Sequence, residues 1–396
     1  MRVSILTGGG GDRYYELGLA RGLADQGIFV ELVGGDSLLE REYFSRDNAR
    51  IVNLRGSQKK GVSRVEKVLR VFRYYFRLIV YAWQTDATVF HIQWLNKFEL
   101  FDSSLLMIYY KLLGKKLLFT AHNVDAMERV GKRSLVNRIS LKFLYTLSDH
   151  IIVHTEKMKK KMGRWYGVPE EKISVVSYGI NDMVPKTDLT SAEARRKLGI
   201  DEDDKVVLFF GNITLYKGYE YLLEAFAGLA DKDKKEVLLL VAGRIMTEEA
   251  HRSQIEKIIQ EKGISGRMMT RHQFIPDEDI EVYFKAADIL VLPYKNIFQS
   301  GVLFLSYSFG LPVIVSDVGS LRDHVSVGET GYVVPPRDPE ALKEQIEIYF
   351  GSDLYKGLSI NRGKIEKYAF DTYSWDKIGV ITGAIYSELL DQRSEE

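Results

Sequence analysis

The chain has 396 residues, a formal net charge of +1 and no cysteine. A single hydrophobic core rarely extends beyond about 250–300 residues, so this length predicts two domains. The lack of cysteine excludes disulfides, thiolate metal sites and a cysteine nucleophile. The sequence contains no run of about 18 uncharged apolar residues, the length that a membrane-spanning helix needs. The N-terminus leads directly into a strand and a glycine turn instead of a signal peptide, so we expect a cytoplasmic protein.

Charge is distributed unevenly between the two halves. Residues 1–180 contain 29 Lys and Arg against 18 Asp and Glu, and the remaining residues contain 26 against 36. Such a split indicates that the halves face different partners, although ordinary surface variation would also produce it. We expect the basic half to meet an anionic partner.

Short apolar runs alternate with amphipathic stretches along the chain. The predicted strands of the first half are Val3–Thr7, Phe29–Val33, Val89–Ile92, Leu117–Ala121, Ile151–His154 and Ile173–Val176. The pattern restarts with Lys205–Phe210, Val237–Ala242, Met268–Phe274, Ile289–Leu292, Val313–Ser316 and Gly331–Val334. Strands separated by helices form parallel sheets. We therefore predict two α/β domains, residues 1–181 and 193–372, followed by a C-terminal helical segment, residues 373–396.

A run of four glycines, Gly8–Gly11, follows the first predicted strand and precedes a predicted helix at Asp12–Gln26. Glycine permits close backbone approach to a ligand, and a helix N-terminus offers free N–H groups to an anion. The dinucleotide-binding fingerprint requires a glycine where Arg13 stands. Glu31 is placed like a ribose-binding acid, so a dehydrogenase remains an alternative.

Two motifs of the second half place anion-binding groups after strands. The segment FFGNITLYKG contains Lys217, whose ammonium suits phosphate neutralisation without fixed geometry. Ser300 and Gly301 open an apolar, buried helix whose N-terminus offers backbone donors to a diphosphate. An ordinary surface lysine is the alternative for Lys217.

These segments resemble glycosyltransferase family 4 of the GT-B fold. The resemblance is carried by FFGNITLYKG, AADILVLPY, QSGVLFLSYSFGLPVIVSDVGSLRD and GETGYVVPPRDPEAL, and it extends back through TAHNV to the glycine loop. It implies two Rossmann-like α/β domains whose parallel sheets face each other across a cleft. It also implies retaining transfer from a nucleotide-diphosphate sugar, without metal or cofactor, and a final helix that crosses back to the N-terminal domain.

The resemblance assigns roles to individual residues. The catalytic candidates are His122, on the acceptor side, and Lys217, on the donor diphosphate. The donor-binding candidates are Gly10, Gly11, Gly211, Asn212, Lys217, Arg244, Gln299, Ser300, Gly301 and Val302.

The chain departs from the family pattern at three places. The paired glutamates of the family fall at Ile297 and Leu305, and Asn212 or Thr214 replaces its arginine before Lys217. We expect Gln299, Ser300 and Arg244 to act as substitutes. A degenerate transferase that serves as a binding or scaffold subunit is the alternative, and an epimerase or phosphorylase of the same fold is a further one.

Three histidines, His91, His122 and His154, end predicted strands at the edge where α/β sheets bind ligands. We expect one of them at the site, and the resemblance favours His122. No group of residues has metal-ligand spacing, because Asp201–Asp203 and Asp277–Asp279 are typical of turns and helix caps. A metal site is therefore not expected.

The segment Lys59–Gln84 predicts an amphipathic helix. Its basic stripe is Lys60, Arg64, Lys67, Arg70, Arg73 and Arg77, and its apolar stripe is Val65, Leu69, Phe72, Phe76 and Val80. Such helices lie on anionic bilayers, although a solvated helix face is the alternative. Lys157–Arg164 adds a second basic cluster.

The partners follow from these features. We expect a nucleotide-sugar donor, with a UDP-sugar favoured over GDP-mannose, and a lipid-linked or oligosaccharide acceptor of one hexose. An anionic membrane surface is a further partner. Nucleic acid is not expected, because the second half of the chain is acidic.

Overall fold

The computed structural model describes residues 1–8, 12–38, 47–57, 61, 63–124, 135–229 and 237–391. The chain divides into two compact units. The first unit combines Met1–Gly179 with Tyr373–Glu396, and the second is Ile180–Thr372.

The described part of the first unit contains a seven-stranded parallel sheet with the order β3-β2-β1-β4-β5-β6-β7. Its strands β1 to β7 are Arg2–Leu6, Phe29–Gly34, Ala49–Asn53, Val89–Ile92, Lys116–Ala121, His150–Val153 and Ile173–Val175. Its helices α1 to α6 are Arg13–Asp25, Arg64–Gln84, Glu99–Phe101, Met107–Leu112, Leu135–Leu147 and Glu156–Tyr166.

The described part of the second unit contains a six-stranded parallel sheet with the order β10-β9-β8-β11-β12-β13. Strands β8 to β13 are Lys205–Phe210, Val237–Ala242, Met268–Arg271, Ile289–Leu292, Val313–Ser316 and Gly331–Val334. Helices α7 to α14 are Ser191–Leu198, Tyr219–Gly228, Glu249–Glu261, Asp277–Ala286, Gly301–Ser308, Pro339–Gly351, Asp353–Lys356 and Leu358–Tyr373. The last helix, α15, is Trp375–Asp391 and belongs to the first unit. Two parallel, Rossmann-like sheets confirm the predicted fold class.

Both edge strands β3 and β10 differ from the sequence prediction. The sequence pattern misses β3 because its residues are mostly half-exposed and do not form an apolar run. Strand β10 ends at Arg271 instead of Phe274, and residues 271–274 are exposed. Edge strands bury fewer side chains, so their hydrophobic signal is weaker.

A buried ion pair joins α7 to the centre of the second sheet. Both carboxylate oxygens of Asp288 lie 2.9 Å from Nη2 of Arg195. Oδ2 also accepts a 2.7 Å hydrogen bond from the backbone N–H of Val206. Nη1 of Arg195 donates to the carbonyls of Glu202 and Asp204. A buried ion pair is tolerated when its remaining donors and acceptors are hydrogen-bonded in this way. It fixes the position of β8 beside β11.

Helix α15 packs on α1 through glycines. A Cβ atom on Gly22 would lie 2.1 Å from the carbonyl oxygen of Trp375, and one on Gly379 would lie 2.3 Å from that of Gly22. The Trp375 ring occupies the space beside Gly18, where a Cβ would lie 2.0 Å from the indole. Such contacts are shorter than any van der Waals separation, so glycine is required for this helix pair.

We therefore expect Gly22→Ala to destabilise the protein by about 1–3 kcal/mol, the usual cost of overpacking a filled interface. The matched control is Gly163→Ala in α6, where the nearest atom would lie 3.6 Å away. That substitution should be neutral or stabilising by up to about 1 kcal/mol, because alanine favours the helix. Chemical denaturation measures both, and equal stabilities of the two variants would contradict the packing argument.

Candidate functional site

Each sheet reverses its strand order at one point, between β1 and β4 in the first unit and between β8 and β11 in the second. In open parallel sheets, the loops that leave the strands on either side of this point diverge and border a crevice, where ligands bind. The residues that follow these four strands are therefore the candidates for ligand contacts.

Lys217 lies buried in the loop after β8, with 7% of its surface exposed. A Cβ atom on Gly211 would lie 2.7 Å from Nζ of Lys217, so the glycine makes room for the ammonium. The ring of Tyr294 lies 5.7 Å from Nζ. Burial lowers the pKa of Lys217 to about 8, and among the described residues no carboxylate pairs with it. A buried cation without a counter-charge is costly and suits an anionic ligand.

The loop that carries Lys217 is fastened to the loop after β11. The backbone N–H of Lys295 donates to the carbonyl of Tyr216 at 2.8 Å. Gly218, at a φ of +65°, lies against Pro293, whose carbonyl oxygen would be 2.0 Å from an added Cβ. Nζ of Lys295 also donates to the buried Glu220 at 2.6 Å. Both sides of the switch point therefore hold Lys217 in place.

The N-terminus of α11 meets the same point. Ser300 is its N-cap residue and makes no side-chain capping bond, and its hydroxyl lies 3.4 Å from that of Tyr294. A methyl group of Val302 would lie 3.7 Å from a Cβ on Gly211. The first N–H groups of a helix are unpaired within the helix and carry partial positive charge. Lysine and helix terminus together form an anion-binding arrangement.

Thr214 is a further candidate for the site, named above only as a replacement for the family arginine. Its Oγ1 atom is buried without a hydrogen-bond partner among the described residues. Thr214 precedes the 3₁₀ turn Leu215–Lys217. A buried hydroxyl without a partner costs about 1–3 kcal/mol, so a ligand oxygen is a suitable partner for it. The only feature of the sequence that could have pointed to Thr214 is that it is a polar residue three positions before Lys217.

Gln299, predicted as a donor-binding residue, has its side chain engaged by partners within the second unit. Its side-chain oxygen accepts a 2.8 Å hydrogen bond from the Ser320 hydroxyl, and its amide lies 3.2 Å from Nε2 of His324. Burial lowers the pKa of His324 to about 4, so this ring is neutral at physiological pH. Ile297 and Leu305, at the positions of the family glutamates, are both 5% exposed and pack in the interior.

The remaining predicted donor residues differ in their surroundings. Asn212 and Arg244 are exposed, and the Arg244 guanidinium lies 5.4 Å from the centre of the Phe274 ring. Gly10 and Gly11 lie outside the described residues. The structure therefore groups Gly211, Lys217, Ser300 and the start of α11, and leaves Asn212 and Arg244 at the surface.

Two histidines of the first unit form a hydrogen-bonded chain at the carboxyl edge of its sheet. Nδ1 of His154 lies 3.0 Å from the Val176 carbonyl oxygen, and Nε2 of His154 lies 3.0 Å from Nδ1 of His122. Nε2 of His122 lies 3.0 Å from Oε1 of the Gln93 side-chain amide, whose oxygen and NH₂ group exchange places when the amide is turned by 180°. Burial, followed by the neighbouring His154 and His91, holds the pKa of His122 well below its usual 6.5.

This chain of hydrogen bonds determines which ring nitrogen of each histidine carries the proton. The Val176 carbonyl accepts the Nδ1–H of His154, so Nε2 of His154 accepts the Nδ1–H of His122. Nε2 of His122 then carries a lone pair and needs a donor, which the Gln93 amide supplies when its NH₂ group faces the ring. The same orientation satisfies Nε2 of Gln93, a buried donor that otherwise has no partner among the described residues.

Aromatic rings enclose His122. Trp94 stacks on it with ring centres 4.7 Å apart and planes 9° from parallel, and Tyr15 meets it edge-on, also at 4.7 Å. Gly8 lies against Trp94, whose carbonyl oxygen would be 2.0 Å from an added Cβ. The sequence did not identify Trp94, because a tryptophan after a strand carries no specific signal.

His91 lies beside this chain and has a separate set of partners. Its ring nitrogens lie 2.6 Å from the hydroxyls of Thr120 and Tyr386, and it is completely buried. Burial lowers its pKa to about 3. These contacts join β4 to α15, which is a structural role.

Across residues 1–391, excluding the gaps given above, no group of three or more His, Asp or Glu side chains is placed to hold a metal ion. In the same residues, no helix combines the length and hydropathy needed to cross a bilayer.

Comparison with known families and proteins gives consistent matches. Residues 8–183 match the model "Glycosyltransferase Family 4", and residues 190–362 match "Glycosyl transferases group 1". A D-inositol 3-phosphate glycosyltransferase of Corynebacterium glutamicum is 25% identical over 395 residues, covering 96% of this chain and 92% of that protein. An uncharacterized glycosyltransferase of Methanocaldococcus jannaschii, MJ1607, is 25% identical over 244 residues, only 60% of each chain.

Solved structures share the fold. Sucrose-phosphate synthase from Thermosynechococcus elongatus superposes with a TM-score of 0.76 at 21% identity, covering 99% of this chain and 100% of that one. Anabaena Alr3699/HepE in complex with UDP-glucose superposes with a TM-score of 0.70 at 14% identity, covering both chains completely.

Together with the two Rossmann-like sheets, these matches show that the chain belongs to glycosyltransferase family 4 and is a GT-B glycosyltransferase enzyme. The resemblance stated from the sequence motifs is thereby confirmed.

The histidine chain generates a prediction about protonation. We expect His122 to stay neutral, with its proton on Nδ1, between pH 5.5 and 8, because burial opposes a second proton. Long-range ¹⁵N–¹H NMR of labelled protein distinguishes the tautomers, and the spectrum of His122→Asn assigns the signals. A proton on Nε2, or titration of this ring above pH 6, would refute the proposed chain.

Proposed function

We propose that this enzyme transfers a hexose from a UDP-sugar to a lipid-linked or oligosaccharide acceptor, with retention of anomeric configuration. The observation that carries the proposal is the buried ammonium of Lys217, which has no counter-charge among the described residues and lies at the switch point of the second sheet. The diphosphate of the donor supplies the missing negative charge.

The proposed chemistry is a displacement at the anomeric carbon. The acceptor hydroxyl oxygen forms a bond to this carbon while the bond to the diphosphate oxygen breaks. The diphosphate leaves with the negative charge, which Lys217 and the N–H groups at the start of α11 stabilise. The proton of the hydroxyl passes to an oxygen of the departing diphosphate.

His122 enters the proposal as a residue of the acceptor side and not as a base. Its ring nitrogens are held by Gln93 and His154, so neither is free to accept the proton of the acceptor hydroxyl. This arrangement supports the leaving diphosphate as the proton acceptor. Through its stacking with Trp94, His122 shapes the surface that the acceptor meets.

The choice of UDP rests on fold similarity. Structures of Anabaena Alr3699/HepE contain UDP or UDP-glucose. The diphosphate is common to UDP-sugars and GDP-sugars, so contacts to it do not distinguish the two bases. GDP-mannose is therefore the second choice.

A degenerate, binding-only protein is the second candidate function. Ile297 and Leu305 favour it, because two buried apolar side chains stand where the family has glutamates. The two candidates differ in turnover, since a transferase hydrolyses or transfers the sugar of UDP-glucose, even slowly, whereas a scaffold only binds it.

The role of Lys217 predicts that Lys217→Ala weakens UDP binding about 10- to 100-fold, the usual contribution of a charge-assisted contact. Lys262→Ala removes an exposed lysine at the end of α9 and should leave the affinity unchanged. Isothermal titration calorimetry measures both. If Lys217→Ala and the unaltered protein bind UDP with equal affinity, Lys217 does not bind the donor diphosphate.

The lowered pKa of Lys217 predicts the pH dependence of the same affinity. The free protein loses this charge as the pH rises through about 8, and a bound diphosphate stabilises the charged form. UDP affinity should therefore be constant from pH 7 to nearly 8 and then fall by up to about tenfold per pH unit. The Lys217→Ala variant should lack this fall.

Leaving-group stabilisation by Lys217 and a helix terminus also predicts that transfer persists in EDTA, because no divalent ion is needed to hold the diphosphate. The product anomer should match the donor. His122→Ala should reduce transfer strongly while UDP affinity stays the same. Product NMR with and without chelator is the measurement, and an inverted anomer or complete dependence on Mn²⁺ would exclude this mechanism.

Helix α2 supports a membrane-bound acceptor. The side chains that it buries are Tyr74, Tyr75, Leu78 and Ala82. The predicted apolar stripe lies on another face, since Val65 is 69%, Phe72 61% and Phe76 69% exposed. The apolar stripe therefore faces away from the core of its own unit. Exposed apolar and basic side chains on one helix suit the interface of an anionic bilayer.

We expect the protein to sediment with vesicles of phosphatidylcholine and phosphatidylglycerol at low salt, and less so at high salt, because each basic residue contributes about 1 kcal/mol. Replacing Phe72 and Phe76 by serine should abolish sedimentation. Phe370→Ser, which alters an exposed phenylalanine of the second unit, is the control. If the unaltered protein stays in the supernatant, the acceptor is not presented by such a surface.

A further inference from the structure

A pocket of about 300 Å³ lies between the connection that follows β3 and the first turns of α2. Four arginines line it, and Glu66 is its one acidic lining residue. The arginines are Arg55, Arg70, Arg73 and Arg77. Such an excess of positive charge in a concave site attracts anions and favours an anionic occupant.

Arg55 is held rigidly at this pocket. Its guanidinium lies 4.4 Å from the centre of the Tyr74 ring, and Nη2 donates a 2.7 Å hydrogen bond to Oδ1 of Asn96. The Tyr74 hydroxyl donates to the same oxygen at 2.7 Å. Nε of Arg55 is buried and has no hydrogen-bond partner among the described residues. A planar guanidinium fixed by stacking, with a donor unused, is suited to an oxyanion.

The charge of Arg55 is only partly offset within the unit. Glu16 acts on Arg55 from α1, but burial raises the pKa of Glu16 to about 8, so this side chain is mostly uncharged at neutral pH. Burial also raises the pKa of Asp102, to about 6, so Asp102 is still ionised at neutral pH and offsets part of the Arg55 charge. Glu66 is engaged by Arg70 at 2.5 Å. The pocket therefore keeps a net positive charge.

The other two arginines are exposed side chains of α2. Nη1 of Arg77 donates a long 3.4 Å bond to the Leu54 carbonyl. Arg73 makes no ion pair or hydrogen bond with the residues that the structure describes. Both side chains therefore remain available for a further oxygen.

The pocket adjoins the edge of the sheet where His122 lies. Arg55 follows the end of β3 and bonds to Asn96, two residues after Trp94, which stacks on His122. A volume of about 300 Å³ is at the lower limit for small-ligand sites, large enough for a phosphate with a few attached atoms.

We propose that this pocket binds a phosphate group of the acceptor, held by Arg55, Arg73 and Arg77. The proposal rests on the proposed transferase function, since it defines the chemistry of its acceptor: a phosphate ester positioned beside the hydroxyl that is glycosylated. The phosphate belongs either to a soluble sugar or cyclitol phosphate or to a lipid headgroup.

Binding of inorganic phosphate tests the site. It is measured by calorimetry in the Lys217→Ala background, so that the donor site does not contribute. Replacing Arg73 and Arg77 together by glutamine should lower phosphate affinity at least about tenfold. The matched control replaces Arg64 and Lys67 by glutamine, which removes the same charge from the same helix outside the pocket, and should change it little. Equal losses in the two double variants would overturn the proposal.

Arg55→Lys is a second, independent variant. It keeps the charge but loses the planar fork, and it should also weaken phosphate binding about tenfold. If Arg55→Lys fails to fold, the exposed Arg73 and Arg77 pair still decides the question. Unchanged phosphate affinity in a folded Arg55→Lys protein would remove Arg55 from the site.

Two arms distinguish the sources of the phosphate. Glycerol 3-phosphate represents a soluble ester, and phosphatidylcholine vesicles with phosphatidic acid represent a lipid. If the Arg73/Arg77 double variant binds glycerol 3-phosphate more weakly than the Arg64/Lys67 double variant does, the acceptor is soluble. If the two variants differ only in their binding to the vesicles, the acceptor is a lipid. Either supports the pocket, and no difference in both arms refutes it.

UDP affinity and UDP-glucose turnover, measured on the same variants with Lys217 restored, separate the two proposals. If UDP binding and turnover are intact but the arginine substitutions do not change phosphate affinity, only the proposal of a phosphate pocket is overturned. Arginine-dependent phosphate binding without any turnover would overturn the transferase proposal and leave the anion site.

Discussion

The parallel pairing of strands is the constraint on which the rest of this molecule depends. Parallel neighbours need crossover connections, which place every strand-to-helix loop of one unit at the same edge of its sheet. The order reverses between β1 and β4 and between β8 and β11, so the loops diverge there. Lys217 follows β8, one of the strands at this point of the second sheet, whereas His122 follows β5, the neighbour of β4, at the carboxyl edge of the first sheet.

Burial without a partner marks the sites more clearly than the residue types themselves. Lys217 and Thr214 keep polar groups buried without a partner among the described residues, and so does Nε of Arg55. Each such group costs free energy in the empty protein, because water is removed and nothing replaces it. In contrast, His91 is as deeply buried but has hydroxyl partners at both ring nitrogens. The first three groups are suited to a ligand contact, whereas the hydrogen-bonding groups of His91 are already satisfied.

Helix α2 combines three roles in 21 residues. Its tyrosines pack on the first unit, its arginines border a pocket, and its apolar stripe is exposed. A helix has room for three separate stripes because successive residues are 100° apart. Tyr74 belongs to the first role and stacks on Arg55, so the packing of the helix also shapes the pocket. The proposed acceptor side of the enzyme is therefore organised around one helix.

The sequence by itself determined the alternation of strands and helices, the α/β class, the family and the placement of Lys217 in the loop after a strand. These features depend on local periodicity and on short motifs, and both are properties of neighbouring residues. The sequence did not reveal the strand β3, whose residues are half-exposed, or the burial of the Gln299 amide against Ser320 and His324.

Only the tertiary structure decided which face of α2 is covered, because periodicity identifies an apolar stripe but not what lies against it. It likewise decided that His122 contacts both Gln93 and His154, residues 29 and 32 positions away along the chain. It also brought Arg55 beside the arginines of α2. These contacts arise when separate strands and helices pack together, and no pattern within one segment specifies its neighbours in space.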